Sequence, residues 1–224
     1  FVTTWYDQSG NANNAVQATT TLQPKIVNAG VAILSDGNPS VYFEVTDAYE
    51  NVTASISTLH SAFSVCKGDG NRKQIYGFGG GLAYKSFEFG PWNSNLSSTF
   101  IGDGTTYTQY LSPAVASTAI NLFSNIYNGT TFKSYANTAL SVDVSNTRTD
   151  SAALSIGARN GGTMYLSEFV LYSSDETANR LAIEANINNQ YGLYGVAEVS
   201  PSTALLTLNG QPLVFNGNNL TYNG

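Results

Sequence analysis

The feature that most constrains the fold of this chain is the alternation of short apolar runs with two-residue turn signals. Asp36-Gly37, Asp69-Gly70, Asp103-Gly104 and Asn128-Gly129 separate runs that are rich in β-branched and aromatic residues. Asn-Gly and Asp-Gly favour hairpin turns because the central positions of such turns need a positive φ. Strands that recur at short spacing are typical of a sandwich and not of βαβ units. The pattern therefore predicts an all-β fold with two antiparallel sheets.

Alternation and composition place the predicted strands at nine positions. They cover residues 40–45, 62–67, 74–78, 82–89, 98–101, 121–127, 131–136, 153–157 and 164–172. One helix is predicted after the last strand, because Ser173 and Glu176 have the spacing of a capping box and Gly192 is placed to end the helix in a left-handed conformation. The apolar face of this helix is predicted to consist of Ala178, Leu181, Ala182 and Ala185, extended by Ile183, Ile187 and Tyr191.

The last part of the chain repeats every seven residues. Leu-Thr-Leu-Asn-Gly at 206–210, Leu-Val-Phe-Asn-Gly at 213–217 and Leu-Thr-Tyr-Asn-Gly at 220–224 follow one rule. Each repeat is a strand too short to be stable alone, followed by a hairpin turn. We therefore predict two domains, a sandwich module at 1–195 and a repeat tail at 196–224 for assembly or docking. The alternatives are a small appendage folded onto the sandwich, or chance similarity.

Composition limits the function. Only 11% of the 224 residues are charged, the net charge is −6, and the lysines and arginines are scattered. A nucleic-acid partner is not expected, because binding to phosphates needs clustered basic residues. No apolar stretch is long enough to span a bilayer, so membrane insertion is not expected. A surface whose polarity comes mainly from hydroxyls and amides is common in extracellular and virion β-proteins. The start on Phe1 indicates a processed or partial chain, or one module of a longer protein.

The segment Trp5-Tyr6-Asp7-Gln8-Ser9-Gly10-Asn11-Ala12-Asn13-Asn14 resembles the WYDQSGNGN motif of concanavalin A-like (LamG-like) domains. The end of the sandwich, 165–172 followed by a helix and Gln190-Tyr191-Gly192, is similar to the closing strand and helix of the same domains. The resemblance implies a jelly-roll sandwich with one C-terminal capping helix. Such domains occur in α-L-arabinofuranosidase-like enzymes and in many surface and phage virion proteins, and a fold of this kind does not fix the function.

Two loops are candidates for sugar binding, because amides and carboxylates bind hydroxyls while aromatic rings stack on sugar faces. The first contains Asp7, Gln8, Asn11, Asn13 and Asn14. The second is Gly90-Pro91-Trp92-Asn93, in which Pro91 stiffens a turn that presents Trp92, with Tyr84, Tyr107 and Tyr110 as further candidates.

Glu168 is the third candidate ligand residue. It alternates with Met164, Leu166, Val170 and Tyr172, which predicts a carboxylate on a largely apolar strand face. A lone carboxylate is costly there unless it is paired. It would therefore either bind a sugar or bond with the backbone or with Arg159.

A calcium site is a weaker expectation. Asp7, Ser9, Asn11 and Asn13 place oxygens at alternate positions, and many concanavalin-like domains bind calcium near their glycan site. An EF-hand loop would need a glycine at Ala12 and a glutamate at Ala18. The candidate ligands are Asp7, Ser9 and Asn11, and the alternative is a loop closed by its own side-chain hydrogen bonds.

No catalytic residues are predicted. A glycosidase needs two carboxylates on one sugar, but Glu44, Asp47 and Glu50 have the wrong spacing for the Glu-x-Asp-x-x-Glu motif of sandwich glucanases. His60, the only histidine, has no Cys or His neighbours that would favour a zinc site or a catalytic triad. Cys66 is predicted to be a small buried core residue.

The sequence therefore predicts a non-catalytic carbohydrate-binding or adhesion module of a larger phage virion or extracellular protein. Its expected partners are host-surface glycans and, through the tail, other virion or surface subunits in a homo-oligomer. Two alternatives stay open at this stage: a purely structural assembly module without a ligand, and an arabinofuranosidase-like glycoside hydrolase.

Overall fold

The structure is a computed structural model of the chain. It describes residues 1–52, 59–71, 73–78, 87–93, 96–102, 107–113, 118–146, 154–157 and 161–195, together with short strands between 204 and 222. The chain separates into two compact units, Phe1–Leu193 and Tyr194–Gly224. No described helix is long and apolar enough to cross a membrane.

The first unit begins with short hairpins. Their strands are β1 (Thr4–Trp5), β2 (Ala15–Val16), β3 (Val27–Asn28), β4 (Val31–Ala32), β5 (Leu34–Ser35) and β6 (Asn38–Pro39), with a 3-10 turn at Thr20–Leu22. The Asp36-Gly37 turn is confirmed between β5 and β6, because both of its residues have a positive φ, 49° and 86°.

Twelve longer strands form the sandwich. They are β7 (Val41–Phe43), β8 (Tyr49–Val52), β9 (His60–Gly68), β10 (Tyr76–Phe78), β11 (Phe87–Asn93), β12 (Leu96–Gly102), β13 (Tyr107–Pro113), β14 (Asn121–Tyr127), β15 (Thr131–Ala136), β16 (Ala139–Ser145), β17 (Leu154–Ile156) and β18 (Met164–Tyr172). Sheet I has the order β13-β12-β11-β10-β17-β8, and sheet II has the order β16-β15-β14-β9-β18-β7. Every pairing in both sheets is antiparallel, which confirms the predicted two-sheet β-sandwich.

Aromatic side chains dominate the core between the sheets. The rings of Phe89 in sheet I and Phe123 in sheet II lie 5.2 Å apart, and Phe43 meets Tyr49 edge-on at 5.9 Å. His60 is buried among such rings, 4.9 Å from Phe78. Cys66 is buried, as predicted, and burial raises the pKa of its thiol.

Three sandwich strands lie outside the predicted ranges: β8, β13 and β16, each at an edge of its sheet. Leu111 in β13 and Leu140 in β16 are exposed, so these two strands lack a regular alternation of buried apolar and exposed polar residues. The turn before β16 was also missed, because it consists of Asn137 and Thr138, both at positive φ, and contains no glycine.

The helix α1 (Arg180–Tyr191) begins later than the capping box predicts. Ser173 does not cap it: Glu176 instead accepts a hydrogen bond from Ser174 at 2.6 Å in the turn before the helix. The predicted C-terminus is confirmed, since Gly192 has φ 63° and donates its N–H to the carbonyl oxygen of Asn188.

The predicted apolar face of α1 is wrong for Ala178, Leu181, Ala182 and Ala185, which are all exposed. It is right for Ile187, which is buried, and the helix also buries the polar residues Glu184 and Asn188. The Arg180 guanidinium donates hydrogen bonds of 2.8 and 2.7 Å to the two carboxylate oxygens of Glu184, and it lies over the Tyr135 ring.

The second unit contains three two-stranded ladders. Their strands are β19 (Ala204–Leu205), β20 (Thr207–Leu208), β21 (Gln211–Pro212), β22 (Val214–Phe215), β23 (Asn218–Asn219) and β24 (Thr221–Tyr222). β20 pairs with β21 and β22 pairs with β23, while β19 pairs with β24 and so encloses the other two ladders in sequence. The Asn-Gly pairs themselves lie outside the described residues.

Candidate functional site

The loop at 6–14 closes the hairpin of β1 and β2, in which Trp5 pairs with Ala15. The Asp7 carboxylate accepts hydrogen bonds from the Ser9 N–H at 2.8 Å, the Ser9 hydroxyl at 2.8 Å and the Asn13 N–H at 2.9 Å. Asn14 accepts a bond from the Asp7 N–H at 2.9 Å. The loop is therefore fixed by its own polar side chains before any ligand arrives.

These hydrogen bonds lower the pKa of Asp7, with the Ser9 hydroxyl as the largest cause. The side chains of Gln8, Ser9 and Asn11 are exposed, while the Gln8 amide also donates to the Tyr6 carbonyl oxygen at 3.2 Å and the Asn11 amide to the Ser9 hydroxyl at 3.0 Å. The surface of the loop therefore presents amide and hydroxyl groups on a preorganised backbone.

The same loop is a poor match to a calcium site. The Ser9 oxygen donates to Asp7 and accepts two bonds from Asn11, so its lone pairs are already used. Calcium takes six to eight oxygen ligands, commonly with several carboxylates, and Asp7 is the only carboxylate in the loop. Within the described part of the chain, no group of three or more His, Cys, Asp or Glu residues could hold a metal.

Trp92 does not lie in a loop, in contrast to the prediction. It is part of β11, and the register between β11 and β12 shifts between Pro91 and Asn93. The ladder continues through the predicted Gly-Pro turn: Gly90 pairs with Ser98 and Pro91 with Ser97. A register irregularity is the setting in which a sheet tolerates proline. Tyr84 lies outside the described residues.

Glu168 does not lie on the face that the alternation predicts. The pairing of β18 with β9 shifts between Leu166 and Glu168, which places a bulge at Ser167. A bulge reverses the faces of the residues that follow it. Leu166 is therefore buried in the core before the bulge, Phe169 packs against the core after it, and Glu168 belongs to the opposite face of sheet II.

On that face Glu168 is half-buried next to Tyr191 at the end of α1, whose hydroxyl donates to the backbone carbonyl oxygen of Ser167 at 3.3 Å. Burial raises the pKa of Glu168, and its interaction with the Tyr191 hydroxyl opposes the rise. Burial and the nearby carboxylate raise the pKa of Tyr191 to about 12. Glu168 thus has a protein partner between sheet and helix, while Arg159, the partner considered from the sequence, lies outside the described residues.

The fold does not gather the three sequence candidates into one site. The 6–14 loop begins and ends on β1 and β2, Trp92 is on a central strand of sheet I, and Glu168 is on the outer face of sheet II. Asp7, Gln8, Asn11, Asn13 and Asn14 stay together as one loop.

The acidic segment that was compared with a glucanase motif is engaged in structural contacts. Glu44 is exposed and pairs with Lys25, and the Asp47 carboxylate accepts the Glu44 N–H at 2.9 Å. Burial raises the pKa of Asp47. The side chain of Glu50 is outside the described residues.

Lys73 is a buried lysine that no pattern in the sequence indicates. Its side chain is fully buried, and its ammonium donates to the backbone carbonyl oxygens of Glu44, Val45 and Asp47 at 2.8, 3.1 and 3.0 Å. Burial lowers its pKa to about 8. A charged residue beside a strand normally indicates a solvated surface, so no sequence signal could have identified this role.

No family model and no curated protein matches the sequence. Among solved structures, the chain is similar to the CBM40 domain of a Ruminococcus gnavus IT-sialidase bound to α2,3-sialyllactose, at 11% identity and a TM-score of 0.48, covering 58% of this chain and 84% of that one. It is similar to the receptor-binding domain of botulinum neurotoxin C/D mosaic serotype at 12% identity and a TM-score of 0.46, covering 76% of this chain and 50% of that one. It is also similar to the alginate lyase AlgAT5 of polysaccharide lyase family 7, at 14% identity and a TM-score of 0.45, covering 63% of this chain and 81% of that one.

At these identities and TM-scores the likeness assigns neither a family nor a function. The fold assignment therefore depends on the strand order and the antiparallel register of sheets I and II.

Proposed function

We propose that the sandwich unit is a non-catalytic carbohydrate-binding module of a larger extracellular or phage virion protein, and that it recognises host-surface glycans through the 6–14 loop. The observation that carries the proposal is the self-closed loop, in which three hydrogen bonds to Asp7 fix the backbone while Gln8, Ser9 and Asn11 stay exposed. Binding by a preorganised loop costs less conformational entropy than binding by a disordered one.

The chemistry of the loop favours a neutral, hydroxyl-rich ligand. Amides both donate and accept hydrogen bonds, as a sugar hydroxyl requires. The low share of charged residues, 11%, supports the same class of partner. The resemblance to LamG-like domains of virion proteins is part of this proposal, as are ligand contacts by Trp92 and Glu168.

The test is a glycan array followed by titration calorimetry on the best ligand. The double variant Gln8→Ala/Asn11→Ala is expected to weaken binding at least about fivefold, since each lost hydrogen bond contributes roughly 0.5–1.5 kcal/mol. Asn28→Ala is the matched control, because Asn28 is also an exposed amide on a hairpin of the same unit. Binding that survives the double variant, or no binding to any glycan, would contradict the proposal.

Calcium binding at Asp7, Ser9 and Asn11 is tested separately. Ligands that bind only the folded state raise Tm. A rise in Tm with millimolar calcium that disappears in Asp7→Asn would establish the site. An unchanged Tm would identify the segment as a self-closed turn.

The second candidate function is structural assembly through the tail. Each of its ladders is only two residues long in each strand, and isolated two-stranded hairpins are marginal in water. We therefore expect these strands to gain neighbours from other subunits. Light scattering after size exclusion should show an oligomer for the full chain and a smaller species for a chain ending at Gly195. Identical masses for the two would count against assembly by the tail.

A further inference from the structure

Polar side chains line part of the space between the two sheets. Phe123 and Phe132 face the core, and in the same register Asn125 pairs with Ser134 on the same face of sheet II. Ser64 pairs with Phe123, so it too belongs to the core face, diagonal to Asn125. In sheet I, Thr99 pairs with the core residue Phe89. The core face therefore carries an amide and several hydroxyls among aromatic rings.

These groups are fully enclosed. Asn125 is 0% exposed, and Ser64 and Ser134 are each 1% exposed. Yet neither the Oδ1 nor the Nδ2 atom of Asn125 has a hydrogen-bond partner among the described residues, and the hydroxyls of Ser64, Ser134 and Thr99 lack one as well. Asn125 and Ser134 lie opposite each other without bonding.

Such an arrangement is costly in a dry core. A buried amide or hydroxyl without a partner loses its hydration and receives nothing in return, so more than nine in ten buried polar groups in proteins have a partner. A single water molecule that makes about three hydrogen bonds can satisfy several such groups at once. The clustering of polar atoms around Asn125, on neighbouring strands, provides the two to four polar partners that an internal water needs.

We propose that the sandwich contains an internal water-binding site whose main ligand residue is Asn125, with Ser134 and Ser64 as further ligands. The site is distinct from the 6–14 loop and binds neutral hydroxyl groups only, because no ionised side chain is among these residues. It would bridge β9, β14 and β15 from the core side, in addition to their backbone ladders.

The wild-type protein gives the first test. Oxygen-17 relaxation dispersion counts water molecules that stay inside a protein for longer than nanoseconds, and a high-resolution crystal structure shows where they lie. At least one long-lived water within hydrogen-bonding distance of Asn125 is expected. A direct Asn125–Ser134 bond, or no ordered water at these atoms, would overturn the proposal.

Two variants in the same strand give the second test. Asn125→Leu keeps the side-chain size but removes the amide, and it should lose at least one long-lived water. Asn121→Leu is the matched control, because Asn121 is also buried in β14 but bonds to Ala119 and Asn137 of the protein. It should keep the full number of waters.

Stability separates a hydrated site from a dry one. With a bound water, Asn125→Leu breaks existing hydrogen bonds and leaves Ser134 without a partner, so the unfolding equilibrium constant should rise at least about fivefold. In a dry core the same change would remove an unsatisfied amide and lower that constant, which would refute the proposal. If Asn125→Leu does not fold, Ser134→Ala and the wild-type water count decide the question in the same way.

Discussion

Replacing Lys73 with methionine removes one positive charge from the core and keeps most of the side-chain volume. In the wild-type protein the ammonium binds three carbonyl oxygens, those of Glu44, Val45 and Asp47, at 2.8–3.1 Å. The segment that carries these carbonyls leads from β7 into β8, so Lys73 fixes the connection between an edge strand of sheet II and an edge strand of sheet I.

The expected loss of stability follows from these contacts. Methionine cannot donate hydrogen bonds, so three carbonyls that were bonded to a cation lose this partner. A buried carbonyl that is left without a hydrogen-bond partner costs about 1–3 kcal/mol. Part of this loss is offset because methionine has no charge to desolvate. We expect about 3 kcal/mol, which is a large share of the roughly 5–15 kcal/mol that stabilises a typical domain.

The assay is urea unfolding followed by tryptophan fluorescence, with Lys67→Met as the control. Lys67 is partly exposed and pairs with Asp36 at 3.4 Å. Such surface pairs contribute about 0–1 kcal/mol. Equal losses in the two variants, or a more stable Lys73→Met protein, would refute the role assigned to the buried ammonium.

The pH dependence provides an independent check. The pKa of Lys73 is lowered from 10.5 to about 8, so between these values the unfolded chain binds more protons than the folded one. The free energy of unfolding should therefore rise as the pH increases through 8. Cys66 has a raised pKa and acts in the opposite direction above its ordinary value of 9. The rise should thus be visible between about pH 7.5 and 9, and it should be absent in Lys73→Met.

Three further predictions concern the backbone and two carboxylates. Gly157 has φ +74°, and an added Cβ would lie 2.5 Å from the Phe43 ring, so Gly157→Ala should lower the free energy of unfolding by about 2–4 kcal/mol in chemical denaturation. Gly10 is also at positive φ but in open space, so Gly10→Ala should lower it by only about 1 kcal/mol. The pKa of Glu168 is raised, so the folded state retains its proton to a higher pH than the unfolded state, and stability falls as the pH rises above about 4.5. In thermal melts recorded at several pH values, Glu168→Gln should remove this fall, and an unchanged pH profile would contradict the assigned burial. The pKa of Asp7 is lowered, so its contribution to stability is present at neutral pH and is lost progressively as the pH falls below 3.8. Asp7→Asn should melt earlier than wild type at pH 7, with a difference that shrinks on acidification; a difference that does not depend on pH would argue against the hydrogen-bonded loop.

Local signals in the sequence were reliable where a structure depends on near neighbours. The strands on both sides of Asn128-Gly129 have the predicted bounds, and Asn128 itself accepts bonds from the N–H groups of Thr130 and Thr131. The left-handed end of the helix at Gly192 was equally predictable. In each case the conformation follows from the residue type and its immediate sequence.

Predictions failed where a contact comes from far along the chain. Periodicity assigned Glu168 to an apolar face because it cannot detect the bulge at Ser167, which arises from the pairing of β18 with β9. The helix has no strong amphipathic pattern, and it is held through Glu184 and Asn188, which the sequence alone indicates as solvent-facing.

The sequence by itself determined the antiparallel sandwich, most of its strands and the self-closed Asp7 loop, because alternation and turn chemistry act over a few residues. Only the tertiary structure decided that Lys73 is buried among carbonyls, that Glu168 lies next to Tyr191, and that Asn125 lies in the core without a hydrogen-bond partner in the described part of the chain. These outcomes depend on which strands become neighbours, and the free energy of that choice is a sum over contacts between distant residues.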